Sequence, residues 1–334
     1  MRQTEARAAV GGPFFEDFEV GQVFADAPAL TLTFGHAALH QSIVGDRLRL
    51  ALDAELSRAV TGSRDALLHP NLVTDVAIGQ STGPTQRVLG NLFYRGLVLL
   101  RPVYRGDTLR TRTEVAGLKQ NRPRDDGTGT GLVALRITTR NQRDEPVLDF
   151  WRCAMIPMRD AETQTGHADR FEGIPQELDM QQVERAVPSD WRLDVFRERV
   201  PGPHFGELEA GAVYEVEGRD TVTAAPELAR LTLNVAQAHT DAGATTHGKR
   251  LVYGGHTIGI AAAQATRALP NLVTIIAWRS CDHLGPVFEE DALGTELTVE
   301  GARLLGDGGL VELRARTSAD RGEVLDWRFV GLMA

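Results

Sequence analysis

Asn234 and His239 are the residues of this sequence whose types and spacing most directly suggest chemistry. They lie in the stretch LNVAQAH (233–239), near the end of an amphipathic helical pattern. An imidazole titrates near neutral pH and can carry a proton in either direction. An amide cannot take a proton from water, but it can hold a water by accepting one hydrogen bond and donating another. The pair therefore predicts a site in which His239 transfers protons and Asn234 positions water.

The spacing of this pair sets a condition on the helix that carries it. Two residues five positions apart point about 140° away from each other on a continuous helix. They converge only if the helix ends near 236–238 and the chain turns. Thr240, Asp241 and Gly243 supply turn residues at that point. Asp241 could orient the imidazole or could serve only the turn.

A glycine pair lies a few residues further on, before a second predicted helix. Gly254 and Gly255 precede a helical pattern that begins near His256 and includes TIGIAAAQATRAL (257–269). The first N–H groups of a helix have no intrahelical acceptor and lie at its positive end. Glycine also lets a ligand approach the backbone closely. We predict the Gly255 N–H, with or without that of His256, as an oxyanion hole.

The elements that must position these residues occur twice in the chain. FFEDFEVGQVF (14–24) matches HFGELEAGAVY (204–214), and VLDFW (147–151) matches VLDW (324–327). Between these pairs, the stretch from Tyr94 to Val115 matches that from Trp278 to Val299. Matches in the same order indicate two copies of one module. We predict an N-terminal module (1–158), a polar linker (159–202) with a short helix at 179–186, and a C-terminal module (203–334).

Each copy has the same predicted order of elements, which defines the fold class. A short strand is followed by two helices and then by long strands that alternate apolar and polar residues. Strands that follow one another directly pair antiparallel. A central helix wrapped by such a sheet is a hotdog module, so we predict an α+β double hotdog. In the second copy, Leu228, Leu231, Val235 and Ala238 form the predicted buried stripe of the first helix.

The first copy lacks the candidate chemistry. Asp46 lies in its first helical region, but the residue five positions later is Ala51, and LLHPNLV (67–73) stands where the second copy has the glycine pair. We therefore interpret the three histidines of this region as structural: His36, His40 and His69. The first module would complete the sheet and shape an acyl pocket, which leaves one active site per chain.

These residues resemble the MaoC-like (R)-specific enoyl-CoA hydratases, over nearly the whole chain. In that family an Asp-x4-His pair precedes a segment similar to GKRLVYGGHTIGIAAA (248–263). The branch of mesaconyl-CoA hydratases, also called β-methylmalyl-CoA dehydratases, resembles the chain further in FFEDFEVGQ, in RLVYGGH and in HLGP (283–286), and it carries Asn in place of Asp. The resemblance implies a hydro-lyase that reversibly adds water to an enoyl-CoA, with Asn234, His239 and Gly255 as catalytic residues.

The same reading gives a set of candidate substrate-binding residues. Arg250 and Arg279, like Lys249, suit the phosphate oxygens of coenzyme A. His256 and His283 either face the cleft or are buried structural histidines. The complete predicted set is Asp241, Arg250, Tyr253, Gly254, His256, Arg279 and His283.

Composition restricts the partners and the compartment. The formal net charge of −9 and the pI of about 5.5 argue against a nucleic-acid partner. No apolar stretch approaches the ~18 residues of a membrane span, so we expect no membrane partner. The two cysteines, Cys153 and Cys281, form no CxxC motif, and a cytoplasmic location is the default. We expect no metal or redox cofactor, with coenzyme A present only as part of the substrate. A homodimer is implied by the resemblance alone.

Three alternatives stay open at this stage. The protein could be a general (R)-specific enoyl-CoA hydratase rather than one for mesaconyl-CoA. It could be a non-catalytic protein that binds acyl thioesters on a hotdog frame. A thioesterase is disfavoured, because the predicted central helix carries no obvious carboxylate to activate water against the thioester carbon.

Overall fold

The repeated order of elements is present in the computed structural model, which describes residues 10–122 and 127–334. The first module consists of β1 (Val23–Phe24), β2 (Leu30–Thr31), α1 (Phe34–Val44), α2 (Arg49–Leu52), α3 (Ala54–Thr61), α4 (Pro70–Gln80), β3 (Gly90–Leu99), β4 (Thr108–Gln120), β5 (Thr130–Arg140) and β6 (Pro146–Pro157). The second module consists of β7 (Val213–Glu215), β8 (Asp220–Thr221), α7 (Ala225–Leu231), α8 (Gly254–Ala268), β9 (Leu272–His283), β10 (Ala292–Leu305), β11 (Gly308–Ala319) and β12 (Gly322–Met333). Two short helices connect them, α5 (Met180–Ala186) and α6 (Leu193–Arg199).

One antiparallel sheet runs through both modules. Its order is β1-β4-β5-β6-β3-β9-β12-β11-β10-β7, with β2 and β8 pairing at β4 and β10. The modules join where β3 pairs with β9, with Tyr94 opposite Cys281 and Val98 opposite Ala277. An ion pair between Arg95 and Asp282, 2.6 Å long, crosses the same seam. The architecture is the predicted α+β double hotdog.

The central helices α4 and α8 are buried on nearly all sides because the sheet wraps them. Every residue of α4 is buried, and so are twelve of the fifteen residues of α8. His69 caps α4 by accepting a hydrogen bond from the Asn71 N–H, and Pro70 occupies the first turn, where its missing N–H is tolerated. None of the helices in the described part of the chain is long and apolar enough to cross a membrane.

The connector between the modules is a packed segment. The predicted helix at 179–186 is α5, whereas α6 was not predicted. Val183 and Phe196 are fully buried in a second core cluster, together with Val273 and Val330 of the sheet. The connector 159–202 thus packs against the sheet through apolar side chains. The apolar residues that hold the connector there are spaced too irregularly for the sequence to reveal them.

Contacts from the first module fix the backbone at the end of α7. A side chain on Gly79 of α4 would place its Cβ 1.8 Å from the Thr232 carbonyl oxygen, so the two backbones touch. The Val235 N–H donates to Thr82 Oγ1 (3.0 Å), and the Gln237 N–H donates to the Gln86 carbonyl (2.8 Å). The segment that carries Asn234 and His239 is therefore held by residues of the other module.

Candidate active site

The helix that precedes the candidate pair ends earlier than its sequence pattern predicts. α7 stops at Leu231, and Leu233 adopts a left-handed conformation with φ of 60°. The Asn234 N–H then donates to the Ala229 carbonyl (2.8 Å), which closes the turn. Val235 is 51% exposed, so its place in a buried helical stripe was wrong, as was a helix end at 236–238. The required break in the helix exists, but contacts with α4 and Thr82 produce it.

Asn234 is 5% exposed, and its side chain lines a cavity between the two central helices. Its Oδ1 accepts a hydrogen bond from the Ala236 N–H (3.0 Å), which also fixes the orientation of the amide. The Nδ2 hydrogens stay available for a ligand or a water in the cavity. An aspartate could keep the bond to Ala236, but it could not donate.

His239 follows in a short 3-10 turn (Gln237–His239) and lines the same cavity. Its Nδ1 lies 2.9 Å from the Leu251 carbonyl oxygen. A carbonyl only accepts, so Nδ1 carries the hydrogen and Nε2 keeps its lone pair. Burial lowers the pKa of His239 below its ordinary value of 6.5, and the bond to Leu251 opposes that shift. The imidazole is therefore neutral at physiological pH and suited to act as a base.

The two glycines at the start of α8 face different neighbours. A Cβ on Gly254 would lie 2.5 Å from His283 Nε2, so this glycine forms the cavity wall beside an imidazole. A Cβ on Gly255 would lie 2.0 Å from Asp75 Oδ1, on the side of the first module. The His256 N–H donates to the Tyr253 carbonyl (2.9 Å), which removes it from the predicted oxyanion hole. Both Gly254 and Gly255 are in the first helical turn, where N–H groups have no intrahelical acceptor. Only Gly254 lines the cavity, whereas Gly255, the residue predicted for the oxyanion hole, is buried behind it.

Tyr253 and His283 complete the predicted residues that line the cavity. The Tyr253 hydroxyl donates to the Asp75 backbone carbonyl (3.3 Å), and burial raises its pKa well above the ordinary value. His283 Nε2 is buried and has no hydrogen-bond partner among the described residues. Burial, reinforced by His239, lowers the pKa of His283 to about 4. Both side chains are therefore neutral at pH 7.

The cavity measures about 250 Å³ and draws on both modules. Predicted residues on its wall are Asn234, His239, Tyr253, Gly254 and His283. Residues that the sequence analysis missed include Thr82, Thr85, Asn91, Tyr94, Arg152 and His247. Asp and Glu are absent from the wall formed by the described residues, and no group of three His, Cys, Asp or Glu among those residues could hold a metal ion.

Four predicted substrate-binding residues lie outside this cavity. Asp241 is exposed, and its Oδ1 accepts from the Gly243 N–H (2.8 Å), so it serves the turn while Leu251 orients the imidazole. Arg250 pairs with Glu289 at the surface, and Arg279 pairs with Glu177 of the connector.

His256 is the fourth of these residues. It is fully buried, and neither ring nitrogen has a partner among the described residues. Its side chain is enclosed because every residue of α8 from Gly255 to Thr266 is buried. Burial therefore lowers its pKa to about 4.

The corresponding place in the first module holds a different arrangement. His69 Nε2 lies 3.0 Å from Asp46 Oδ1, and His40 Nε2 lies 3.4 Å from Asp75 Oδ2, all four side chains being buried. The Nδ1 of His69 accepts from the Asn71 N–H, so one ring nitrogen caps α4 while the other contacts Asp46. Burial opposes ionisation of Asp46, but His69 and the Leu48 N–H hold its pKa below the ordinary value. The geometry agrees with the structural role expected for His40 and His69. His36 likewise bonds Thr33 at the start of α1.

A difference between the two copies of the repeat distinguishes Arg152 from its counterpart in the motif. VLDFWR (147–152) has one residue more than VLDWR (324–328). Side chains alternate across a strand, so this insertion moves the arginine to the opposite face. Arg152 is 3% exposed and faces the core, whereas Arg328 faces outward and pairs with Glu300.

Solved structures define the class of protein to which this fold and cavity belong. A conserved hypothetical protein of Mycobacterium tuberculosis, described as a double hotdog, has a TM-score of 0.89 and 50% sequence identity, covering 98% of this chain and 100% of that one. A MaoC domain protein dehydratase from Chloroflexus aurantiacus has a TM-score of 0.86 and 27% identity, covering 98% and 99%. The chain is a double-hotdog protein of the MaoC-like hydratase and dehydratase class.

Sequence comparison defines the family within that class. The profile of the mesaconyl-CoA hydratase family matches residues 3–269. A mesaconyl-CoA hydratase from Cereibacter sphaeroides is 30% identical over 314 residues, covering 92% of this chain and 89% of that protein. The chain belongs to the mesaconyl-CoA hydratase family, as the resemblance predicted.

Proposed function

We propose that this protein catalyses the reversible hydration of a short, carboxylated enoyl-CoA such as mesaconyl-CoA, with β-methylmalyl-CoA as the product. The observation that carries the proposal is the placement of His239. Its Nδ1–H donates to the Leu251 carbonyl, and its basic Nε2 is left in a cavity that Asn234 also lines. Membership of the mesaconyl-CoA hydratase family supports the reaction type.

Proton transfer in this scheme needs only one imidazole. The Asn234 Nδ2 donates to the oxygen of a water, and His239 Nε2 removes a proton from that water. The hydroxide oxygen bonds to the β-carbon as the carbon–carbon π bond breaks, and the electron pair moves through the α-carbon to the thioester oxygen. His239 then returns the proton to the α-carbon, so the elements of one water are added. The scheme assigns no task to a metal or redox cofactor.

The thioester oxygen needs donors while it carries enolate charge. The first-turn N–H groups of Gly254 and Gly255 lie at the positive end of α8. His283, in its Nε2–H form, is a third donor beside Gly254, because its Nε2 has no other partner in the described chain. Loss of one donor of this kind typically costs about 3 to 4 kcal/mol of barrier.

Three alternatives fit the site less well. A thioesterase would need a group that directs water at the thioester carbon, and carboxylates are absent from the described wall of the cavity. A general (R)-specific enoyl-CoA hydratase that also accepts long acyl chains would need a longer apolar channel than a cavity of about 250 Å³ provides. A binding protein without activity would not need the neutral imidazole that burial of His239 maintains.

The decisive experiment follows the loss of conjugated-thioester absorbance with mesaconyl-CoA and with crotonyl-CoA, and free thiol in parallel. We expect absorbance to fall with mesaconyl-CoA and no thiol to appear. Thiol release would favour the thioesterase, and binding of acyl-CoA without either change would favour the non-catalytic alternative.

The assembly and the compartment belong to the same proposal. Family resemblance supports a homodimer, and light scattering on the purified protein tests it. The buried free cysteines Cys153 and Cys281 suit a reducing cytoplasm, which fractionation of cells tests.

A further inference from the structure

Arg152 is a buried cation on the cavity wall without an acidic partner. It lies on β6, is 3% exposed, and lines the same cavity as Asn234 and His239. Its Nη2 donates to the Ser81 carbonyl (2.8 Å) and to Thr85 Oγ1 (2.9 Å). Its Nε is buried and has no partner, and no carboxylate of residues 10–122 or 127–334 forms an ion pair with it. Arg95, on the neighbouring strand, is paired with Asp282.

The fold does not require a charge at this position. Arg152 lies opposite Tyr94 in the β3–β6 pairing, and the same place in the second module is taken by Phe329, opposite Trp278. Phe329 is buried and stacks on Trp327 with ring centroids 3.9 Å apart. An apolar residue therefore suffices at the equivalent position of β12, which does not line the candidate active site. A buried unpaired guanidinium costs free energy that an apolar residue would not.

The neighbours of Arg152 suit an anionic group and supply no anion of their own. Burial raises the pKa of Tyr94 and Tyr253, which keeps both hydroxyls neutral. Thr85 is held by Arg152 itself, and Thr82 is held by the Gly79 carbonyl and the Val235 N–H. The guanidinium is therefore the one fixed positive charge that the described residues bring to this wall.

We propose that Arg152 binds a carboxylate on the acyl group of the substrate and so sets the preference for carboxylated over uncharged enoyl-CoA. Nη2 already donates both of its hydrogens, to Ser81 and to Thr85, so a carboxylate would accept from Nη1, for which the described residues provide no acceptor. A charge-assisted hydrogen bond of this kind is strongest away from water. The carboxylate of the ligand would be the negative partner that the described residues do not provide for Arg152. This inference rests on the proposed function, because it concerns the same cavity. The preference for a carboxylated acyl group would then come from the first module, whereas His239 belongs to the second.

Matched substrates test the inference most directly. Mesaconyl-CoA is compared with 2-methylbut-2-enoyl-CoA, which carries a methyl group in place of the carboxylate. For Arg152→Gln we expect kcat/KM with mesaconyl-CoA to fall about 100-fold or more, and kcat/KM with the uncharged analogue to change less than about 3-fold. Arg152→Lys keeps the charge and should recover part of the lost activity.

Arg328→Gln is the matched control, since Arg328 ends the repeated motif but faces outward. It should alter neither substrate. Equal losses on both substrates in Arg152→Gln, or no loss on mesaconyl-CoA, would overturn the inference.

Binding to the unaltered protein decides the question independently of folding and of catalysis. The saturated thioesters 2-methylsuccinyl-CoA and 2-methylbutyryl-CoA differ in the same carboxylate and cannot be hydrated. We expect the carboxylated ligand to bind at least about 10-fold more tightly, and equal affinities would contradict the role of Arg152. If the protein hydrates neither enoyl-CoA, the proposed function fails, while this comparison still decides whether the cavity selects a carboxylate.

Discussion

The Nδ1 of His239 lies 2.9 Å from the Leu251 carbonyl oxygen, and this contact determines which ring nitrogen faces the cavity. Leu251 precedes the glycine pair, and its own N–H donates to the Ala238 carbonyl (2.9 Å). Hydrogen bonds therefore connect the two segments of the motif, the one that carries His239 and the one that leads into the glycine pair. A backbone carbonyl, and not a carboxylate, therefore orients the imidazole of His239.

Replacement of His239 tests the assignment of the base. His239→Ala should lower kcat about 10² to 10⁴-fold for hydration of mesaconyl-CoA, because general acid–base catalysis contributes about that much. His167→Ala, which removes a histidine that packs on Phe15 away from the cavity, should leave the rate unchanged. The rate of absorbance loss is the measurement, and near-full activity in His239→Ala would show that another group carries the proton.

A carboxylate at position 234 should shift the pH profile. In Asn234→Asp, the oxygen that accepts from the Ala236 N–H is retained, so the fold should persist. A negative charge near His239 favours the imidazolium and raises the lowered pKa of that residue. The acidic limb of kcat/KM, where His239 becomes protonated, should move to higher pH by about one unit. An unchanged limb would mean that the titration of His239 does not control the rate.

Gly254 is predicted to be intolerant of a side chain because it faces His283. Gly254→Ala places a Cβ where His283 Nε2 lies 2.5 Å away, so the imidazole must move and a donor to the thioester oxygen is displaced. We expect kcat/KM to fall about 100-fold. Gly206→Ala, with open space around its Cβ, is the control. Equal activity in both variants would show that neither His283 nor the cavity wall at Gly254 contributes to the reaction.

The buried neutral histidines predict a stability that falls in acid. The pKa of His256 and of His283 is about 4 in the folded chain, against 6.5 for an exposed imidazole. Between about pH 6.5 and pH 4 the unfolded chain binds protons that the folded chain does not, so the unfolding free energy decreases as the pH falls through this window. Each full shift corresponds to about 3 kcal/mol.

His256→Leu separates this effect from catalysis, since His256 lies outside the cavity. Urea denaturation at pH 7 and at pH 5 should show a weaker pH dependence for the variant than for the unaltered protein. An identical pH dependence would mean that His256 does not titrate between the two states as its burial implies.

Local sequence predicted the parts of this protein that depend on repeated patterns. The matches between 14–24 and 204–214, and between the later strands, were sufficient for the double hotdog, because alternating burial along β10 and its neighbours follows directly from residue type. The family was predicted from the resemblance of Asn234, His239 and the segments FFEDFEVGQ, RLVYGGH and HLGP to the mesaconyl-CoA hydratases. These features need only periodicity and short motifs.

Helix ends and side-chain orientations could not be predicted from periodicity and short motifs. The pattern of Leu228, Leu231 and Val235 favours a longer α7, but Gly79 and Thr82 of the other module stop the helix at Leu231. Nothing in the sequence distinguished His256 from His283. In the structure His256 is enclosed in the core, whereas His283 lines the cavity.

The sequence by itself predicted the fold, the family and the candidate pair Asn234 and His239, because the repeat, the resemblance and the spacing of the pair are all visible in the order of residues. Only the tertiary structure showed that Arg152 from the other module joins them, since the pairing of β3 with β9 brings together residues that are far apart in the chain. Tertiary contact also decided that Leu251, and not Asp241, orients the imidazole. The energy of a buried charge or hydrogen bond depends on neighbours that the order of residues does not specify.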